Sequence, residues 1–232
     1  MKKKIIVTGG NGRFAQELKK INSKYKFIFR SKKQLNILSS ISIKKNFKTF
    51  KPNCILHLAG LSRPMSIHED NINKSIDLNI IGTCNLVKIC NENKIKIIFF
   101  STSYIYPGKK GSYSESDPVL PWNNYGWSKL GAEAAVQMYK NSLIIRACMT
   151  EKPFVHNQAF GNVKSNFIFH EDIAKILIKL LNKKGIINIG GKAQTIYKFA
   201  KKYNKNIKNV KSKGELPLNM DMNLNKLKKL IQ

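Results

Sequence analysis

Acidic residues are scarce in this chain. Its 232 residues include 13 Asp and Glu against 42 Lys and Arg, a formal net charge of +29. That imbalance rules out an acidic surface and sets up a field that attracts anions. It does not by itself imply a nucleic-acid binder. The lysines run along the whole length, in pairs such as Lys44-Lys45, Lys183-Lys184 and Lys201-Lys202, and no nucleic-acid motif accompanies them. Lysine reads as the default polar residue, and no specific nucleic acid is expected as a partner. Cysteine is also sparse. Cys54, Cys84, Cys90 and Cys148 show no C-x-x-C spacing, which argues against zinc or a disulfide framework and for free thiols in a reducing compartment. The four histidines lack metal-ligand spacing, so no metal is expected and His57 and His68 are given no role. No apolar run approaches membrane-spanning length, and no signal-peptide pattern follows Lys2-Lys3-Lys4. A soluble, cytoplasmic protein with no membrane partner is expected.

Against these absences, 42% of the residues are hydrophobic, enough for a substantial core. Short β-branched apolar runs predict strands over 5–7, 25–29, 53–58, 95–100, 143–145, 167–169 and 186–189. Between them, helical patterns fall over 39–50, 72–91, 171–181, 195–203 and 223–231, with another running from Tyr125 to Met138. Strands alternating with helices predict an α/β fold with a doubly wound parallel sheet of Rossmann type. Residues 1–148 are expected to form the dinucleotide-binding part. Residues 149–232 are expected to form a small substrate cap, with some segments returning to the sheet.

The first strand runs directly into Thr8-Gly9-Gly10-Asn11-Gly12-Arg13-Phe14-Ala15, and a helical pattern follows. Strand, glycine-rich turn and helix, in that order, form the context of a dinucleotide fingerprint. Gly9 permits the tight turn, Gly12 lets backbone approach a pyrophosphate, and the start of the helix offers free N–H groups. The second predicted strand ends in Arg30-Ser31-Lys32-Lys33, where an NAD-preferring fold usually places an acid. An arginine there suits a 2′-phosphate, so NADPH is favoured over NAD. The third ends in His57-Leu58-Ala59-Gly60, whose small residues allow a cofactor to lie across the sheet. The fourth ends in Ser101-Thr102-Ser103, which puts the Thr102 hydroxyl at the sheet mouth. Tyr125 and Lys129 then lie one turn apart on one helix face. An ammonium beside a phenol favours the phenolate, so a tyrosine ordinarily near about 10 is expected to exchange protons closer to neutrality.

Taken together, the glycine turn, Thr102 and the Tyr125/Lys129 pair resemble the extended short-chain dehydrogenase/reductases. Within them the chain looks most like the dTDP-4-dehydrorhamnose reductase and sugar-nucleotide epimerase/dehydratase group. Supporting stretches are Arg30 through Ile37, Ser101 through Gly108, Tyr125 through Glu133, Phe169 through Ala174 and Leu216-Pro217. The resemblance implies hydride chemistry on a nucleotide-activated sugar, with Thr102, Tyr125 and Lys129 catalytic. It also implies that Gly9, Gly12, Arg13, Phe14, Arg30, Asn36, Ala59, Gly60 and Asn79 bind the cofactor together with Tyr125 and Lys129, and it leaves room for a homodimer. The departures from the family pattern narrow the chemistry. Ala15 replaces the last glycine of the fingerprint, and Ser103 replaces the acid that follows the active-site threonine in the reductases. Dehydratases carry Asp-Glu after that threonine, and this chain has Ser103-Tyr104. The epimerising cysteine of GDP-fucose synthase would fall at Tyr104. Reduction of a 4-keto sugar nucleotide is the chemistry left. An NAD-dependent 4-epimerase and a non-catalytic nucleotide-binding regulatory subunit stay open. Lys152, Asn162 and Lys164 are candidates for a diphosphate, and Asp172 is read as structural.

Overall fold

A computed structural model describes residues 2–232. Six parallel strands form the central sheet: β1 (Lys4–Thr8), β2 (Lys26–Arg30), β3 (Cys54–His57), β4 (Lys96–Thr102), β5 (Ser142–Ala147) and β6 (Gly185–Ile189). Their spatial order is β6-β5-β4-β3-β1-β2. A parallel sheet covered on both faces needs apolar residues at both parities of each strand, and this chain supplies them. Ile5, Val7, Leu56, Ile98, Phe100, Leu143 and Ile145 enter one core with α1 (Arg13–Lys19), α5 (His170–Leu180) and Leu227 of α7 (Asn225–Ile231). Ile6, Ile55, Ile97, Phe99 and Ile144 enter the other core, with α2 (Ser40–Phe50), α3 (Gly82–Glu92) and α4 (Asn124–Gln137). The fold is therefore the expected doubly wound α/β sheet.

Two expected elements differ. The run 167–169 does not join the sheet: Ile168–Phe169 pairs with Met149–Thr150 outside it, and β6 is the sixth strand. The helix expected over 72–91 is interrupted. A four-residue turn (Ile72–Ser75) leads into a π-helical segment (Ile76–Ile81) and only then into α3. Such segments mark places where a side chain has been drawn out of α register, and Asn79 lies at this one.

Residues 149–232 divide their loyalties. The helices α5 and α7 and strand β6 belong to the sheet layers. The intervening loops, with the short helix α6 (Ile196–Lys201), form a separate apolar cluster of Phe154, Val163, Phe169, Phe199 and Met220. Tyr104 and Trp122 pack against this cluster, which places it over the carboxyl end of the strands. Among the described residues, no helix is long and apolar enough to cross a membrane. Nor does any group of three or more His, Cys, Asp or Glu side chains there suit a metal ion.

Candidate active site

The chain leaves β1 on one side and β3 on the other, so a crevice opens between them at the carboxyl end of the sheet, where ligands of open α/β sheets bind. Gly9 turns the chain there with φ +67°, and a Cβ on it would lie 2.8 Å from the Ala59 backbone nitrogen. Only glycine fits both constraints. Gly12 donates its N–H to the Gly9 carbonyl at 2.8 Å and caps α1, whose first turn holds no acidic side chain. The bare turn and the small Ala59 and Gly60 suit the backbone approach a dinucleotide pyrophosphate requires.

A hydrogen-bond chain locks these walls. Thr83 donates to the Asn79 carbonyl at 2.6 Å, so its oxygen accepts from His57 Nε2 at 3.0 Å. His57 Nδ1 is then the acceptor for the Thr8 hydroxyl at 2.8 Å, and the Thr8 oxygen accepts from the Leu58 and Ala59 N–H groups. Burial, with Lys129 adding to it, pushes His57 down to about 3 and keeps it neutral, as this chain of bonds requires. Asn79 is a second tie. Its Oδ1 accepts from Leu61 N at 2.7 Å, and its Nδ2 donates to Leu61 O at 3.0 Å and Ser128 Oγ at 2.8 Å. Its side chain thus joins the loop after β3 to the helix bearing Tyr125, and Gly60 lies directly against its oxygen.

Thr102 ends β4 and is buried, with its hydroxyl accepting from Tyr104 N at 3.3 Å. The opening of α4, capped by Asn123, docks so closely on this turn that a Cβ on Gly126 would lie 2.6 Å from the Tyr104 carbonyl oxygen. That approach brings the Tyr125 phenol beside the Thr102 hydroxyl, which favours its ionised form. The Tyr125 ring packs on His68, with centroids 5.1 Å apart, and edge-on to Tyr104 at 5.8 Å. His68 is fully buried, bonded through Nδ1 to Ser75 at 2.7 Å, with no partner at Nε2.

The electrostatics correct one expectation. Burial raises the Tyr125 phenol above its ordinary value, and the neighbouring Thr102 hydroxyl and the Arg63 charge only partly oppose it. Lys129 adds no lowering, because its own ammonium gives up its proton first. Its Nζ lies 4.2 Å from the Phe99 ring centroid, and burial pushes it down to about 7 against the pull of Glu133. The phenol is a held acid, and the charge beside it is the group near its titration point.

Other expected residues are placed as follows. Phe14 is buried against Phe100, 4.9 Å between centroids, so its ring serves the core and only its backbone faces the turn. The Arg30 carbonyl accepts from Gly10 N at 2.9 Å, while its guanidinium lies 5.0 Å from the Phe50 ring centroid with a buried, unpartnered Nε. The Asn36 side chain accepts from Leu38 N at 3.0 Å and shapes the β2–α2 turn. Arg13 pairs with Glu151 at 2.8 Å. Of the diphosphate candidates, Lys152 is paired with Glu171, and Asn162 is bonded to the backbone of Ser212. Sequence reasoning missed Arg63, His68, Tyr104 and Glu151. Only for Glu151 was there a signal, the rarity of carboxylates in this chain.

Residues 2–159 match the RmlD substrate binding domain family. Among solved structures, the chain is similar to dTDP-4-dehydrorhamnose reductase from Bacillus anthracis str. Ames in complex with NADP. The TM-score is 0.88 at 20% identity, covering 99% of this chain and 92% of that one. The same enzyme from Yersinia enterocolitica gives 0.85 at 22%, covering 100% and 93%. Among curated proteins, it is 33% identical over 102 residues to the methionine adenosyltransferase 2 subunit beta of Xenopus laevis, 44% of this chain and 30% of that protein. It is 28% identical over 169 residues to the spore coat polysaccharide biosynthesis protein SpsK of Bacillus subtilis (strain 168), 71% of this chain and 56% of that protein. The matched regions thus span less than two thirds of either relative. The family match runs unbroken from the glycine turn through Thr102, Tyr125 and Lys129 into the loops after β5, and the chain belongs to the RmlD substrate binding domain family.

Proposed function

We propose that this chain is an NAD(P)-dependent oxidoreductase acting on a nucleotide-activated sugar, and that it reduces a 4-keto sugar nucleotide with NADPH. The observation that carries the reading is the meeting of Thr102, at the end of β4, with Tyr125, at the start of α4, at the mouth of the crevice, with Lys129 one helical turn away. The kinship with SpsK and the fold shared with the reductases support the substrate class. The basic run from Arg30 to Lys33, without an acid, supports NADPH over NADH.

When bound, the nicotinamide supplies hydride to the keto carbon. The Tyr125 phenol donates its proton to the oxygen on which negative charge develops, and the Thr102 hydroxyl bonds the same oxygen. A phenol held above its ordinary value is protonated at neutral pH, as the reducing direction needs. Lys129, charged in part of the population near neutrality, stabilises the phenolate that remains.

The test is incubation with a panel of 4-keto sugar nucleotides and either NADPH or NADH, followed by product stereochemistry. NADPH oxidation with one reduced epimer as product is expected, and Tyr125→Phe lowers turnover about 10²–10⁴-fold with little change in NADPH affinity. Full turnover in Tyr125→Phe would remove the assignment. A second reading has its own support. The similarity to the methionine adenosyltransferase 2 subunit beta favours a nucleotide-binding regulatory subunit. Tight NADPH binding, no turnover of any keto sugar and co-purification with another enzyme select it.

A further inference from the structure

Glu151 follows the short strand Met149–Thr150 and sits between two guanidinium groups from separate elements. Arg13 is the first residue of α1, immediately after the glycine turn, and its Nη1 lies 2.8 Å from Glu151 Oε1. Arg63 lies on the loop after β3, beyond Ala59 and Gly60, and its Nη1 lies 3.1 Å from Oε1 and 3.2 Å from Oε2. The two arginines therefore flank the crevice between β1 and β3, and one carboxylate bridges them. The arginine side chains are 52% and 37% exposed, the Glu151 side chain 16%. Both cations can be reached from solvent, and the carboxylate lies inward between them.

One negative charge against two guanidinium groups leaves the cluster positive. A diphosphate brings more charge and more acceptor oxygens, in a geometry that suits the planar fork of arginine better than a single shared carboxylate oxygen. Arg63 also acts electrostatically on Tyr125, which puts this cluster near the reacting end of the crevice. Burial alone would raise the Glu151 carboxyl, but Arg63, a backbone donor, Arg13 and His170 outweigh it and hold it below the usual carboxylate range, so the bridge is charged at neutral pH.

We propose that Arg13 and Arg63 form a two-guanidinium clamp for a diphosphate, and that Glu151 is its internal placeholder, displaced when the diphosphate enters. The identity of the ligand rests on the proposed function. The clamp itself rests on the ion pairs. The diphosphate belongs either to the dinucleotide or to the sugar nucleotide. Glu151 thereby sets an affinity threshold: in the empty cleft it offsets part of the positive charge from within, and entry of the ligand exchanges its ion pairs for stronger ones.

The experiment is calorimetric titration of the full chain with NADPH, thymidine diphosphate and inorganic pyrophosphate, for the wild type and four variants. Glu151→Gln keeps the side chain's shape and frees both arginines. At least one of the three ligands should bind it about fivefold or more tightly than the wild type. Glu171→Gln removes an equal charge from the same cleft, where Glu171 is paired with Lys152, and leaves the arginines untouched. It should bind like the wild type. Adding Arg63→Gln to Glu151→Gln should abolish the gain, and Arg63→Gln alone should weaken binding less than it does in that background. A gain for NADPH alone assigns the clamp to the cofactor, and a gain for thymidine diphosphate alone assigns it to the sugar nucleotide. No gain in Glu151→Gln with any ligand, or an equal gain in Glu171→Gln, overturns the clamp. A chain that reduces keto-sugar nucleotides with Glu151→Gln unchanged keeps its proposed function and loses the clamp. A chain that turns over none, while pyrophosphate shows the gain, does the reverse.

Discussion

Lys129 carries a conflict that can be measured. Burial against Phe99 pushes its ammonium down to about 7, with Glu133 opposing, and His57 and His68 face it in neutral form, each pushed down first by burial. An unfolded lysine holds its proton to about 10.4. Below about pH 7 both states are protonated and the folded state bears the whole desolvation penalty. Between about 7 and 10.4 the unfolded state binds more protons, so the penalty shrinks as pH rises. Lys129→Met should therefore raise the urea midpoint clearly at about pH 6 and hardly at about pH 10. An equal gain at both would mean that Lys129 is not desolvated. Thr102, Tyr125 and Lys129 were legible because helical spacing and a strand end say where a side chain must stand. Arg63 and Glu151 stand on loops, and His68 on a four-residue helical turn (Ile67–Asp70) between loops, whose paths are set by distant ties such as the Asn79 bonds to Leu61, and local pattern carries no trace of these. The direction of the Tyr125 shift was also hidden, since spacing reports a neighbouring charge and not the depth of burial.

At the scale of elements, α4 is held on the sheet by a buried ion pair. Glu133 of α4 accepts from Arg146 of β5 at 2.6 and 3.1 Å, with side chains 0% and 3% exposed. Arg146 also donates to the Tyr106 hydroxyl at 2.8 Å, and that hydroxyl donates to Asn188 Oδ1 of β6 at 2.8 Å. The network fixes the helix that carries Tyr125 and Lys129 against two strands. Arg146→Met leaves a buried carboxylate unpaired, and should cost about 3–5 kcal/mol in a denaturation experiment. Adding Glu133→Leu should recover most of that loss, because an apolar pair of similar volume replaces the ions. If the double variant is no better than the single, the pair does not act as a unit. Most strands were legible from apolar runs, because a sheet covered on both faces needs both parities filled. The π-helical segment was not. The pattern over 72–91 has good helical periodicity, and the insertion arises only where Asn79 reaches Leu61 and Ser128.

For the whole molecule, the division between a nucleotide half and a cap cuts through the core. Ile173, Leu177, Leu180, Ile187 and Ile189 lie beyond residue 148, yet fill the same core as Ile5, Val7 and Leu143. A fragment of residues 1–148 would lose β6 and, of the three helices over that face, α5 and α7, and should show no cooperative thermal transition by circular dichroism. A sharp transition near that of the full chain would mean the first part folds alone. The alternation of strands and helices was legible in the sequence, but the pairing of strands was not. The runs at 167–169 and 186–189 look alike as apolar segments, and only the intervening α5 decides which of them reaches the edge of β5.

That late partner has a consequence during synthesis. As the ribosome releases the chain, β5 emerges with a bare hydrogen-bonding edge beside Leu143, Ile144 and Ile145, and its mate β6 is still to be translated. An unpaired apolar edge is a template for misassociation between nascent copies. Yield in the cell should depend on the pace of elongation and on chaperone occupancy over that interval more than on the finished protein's stability.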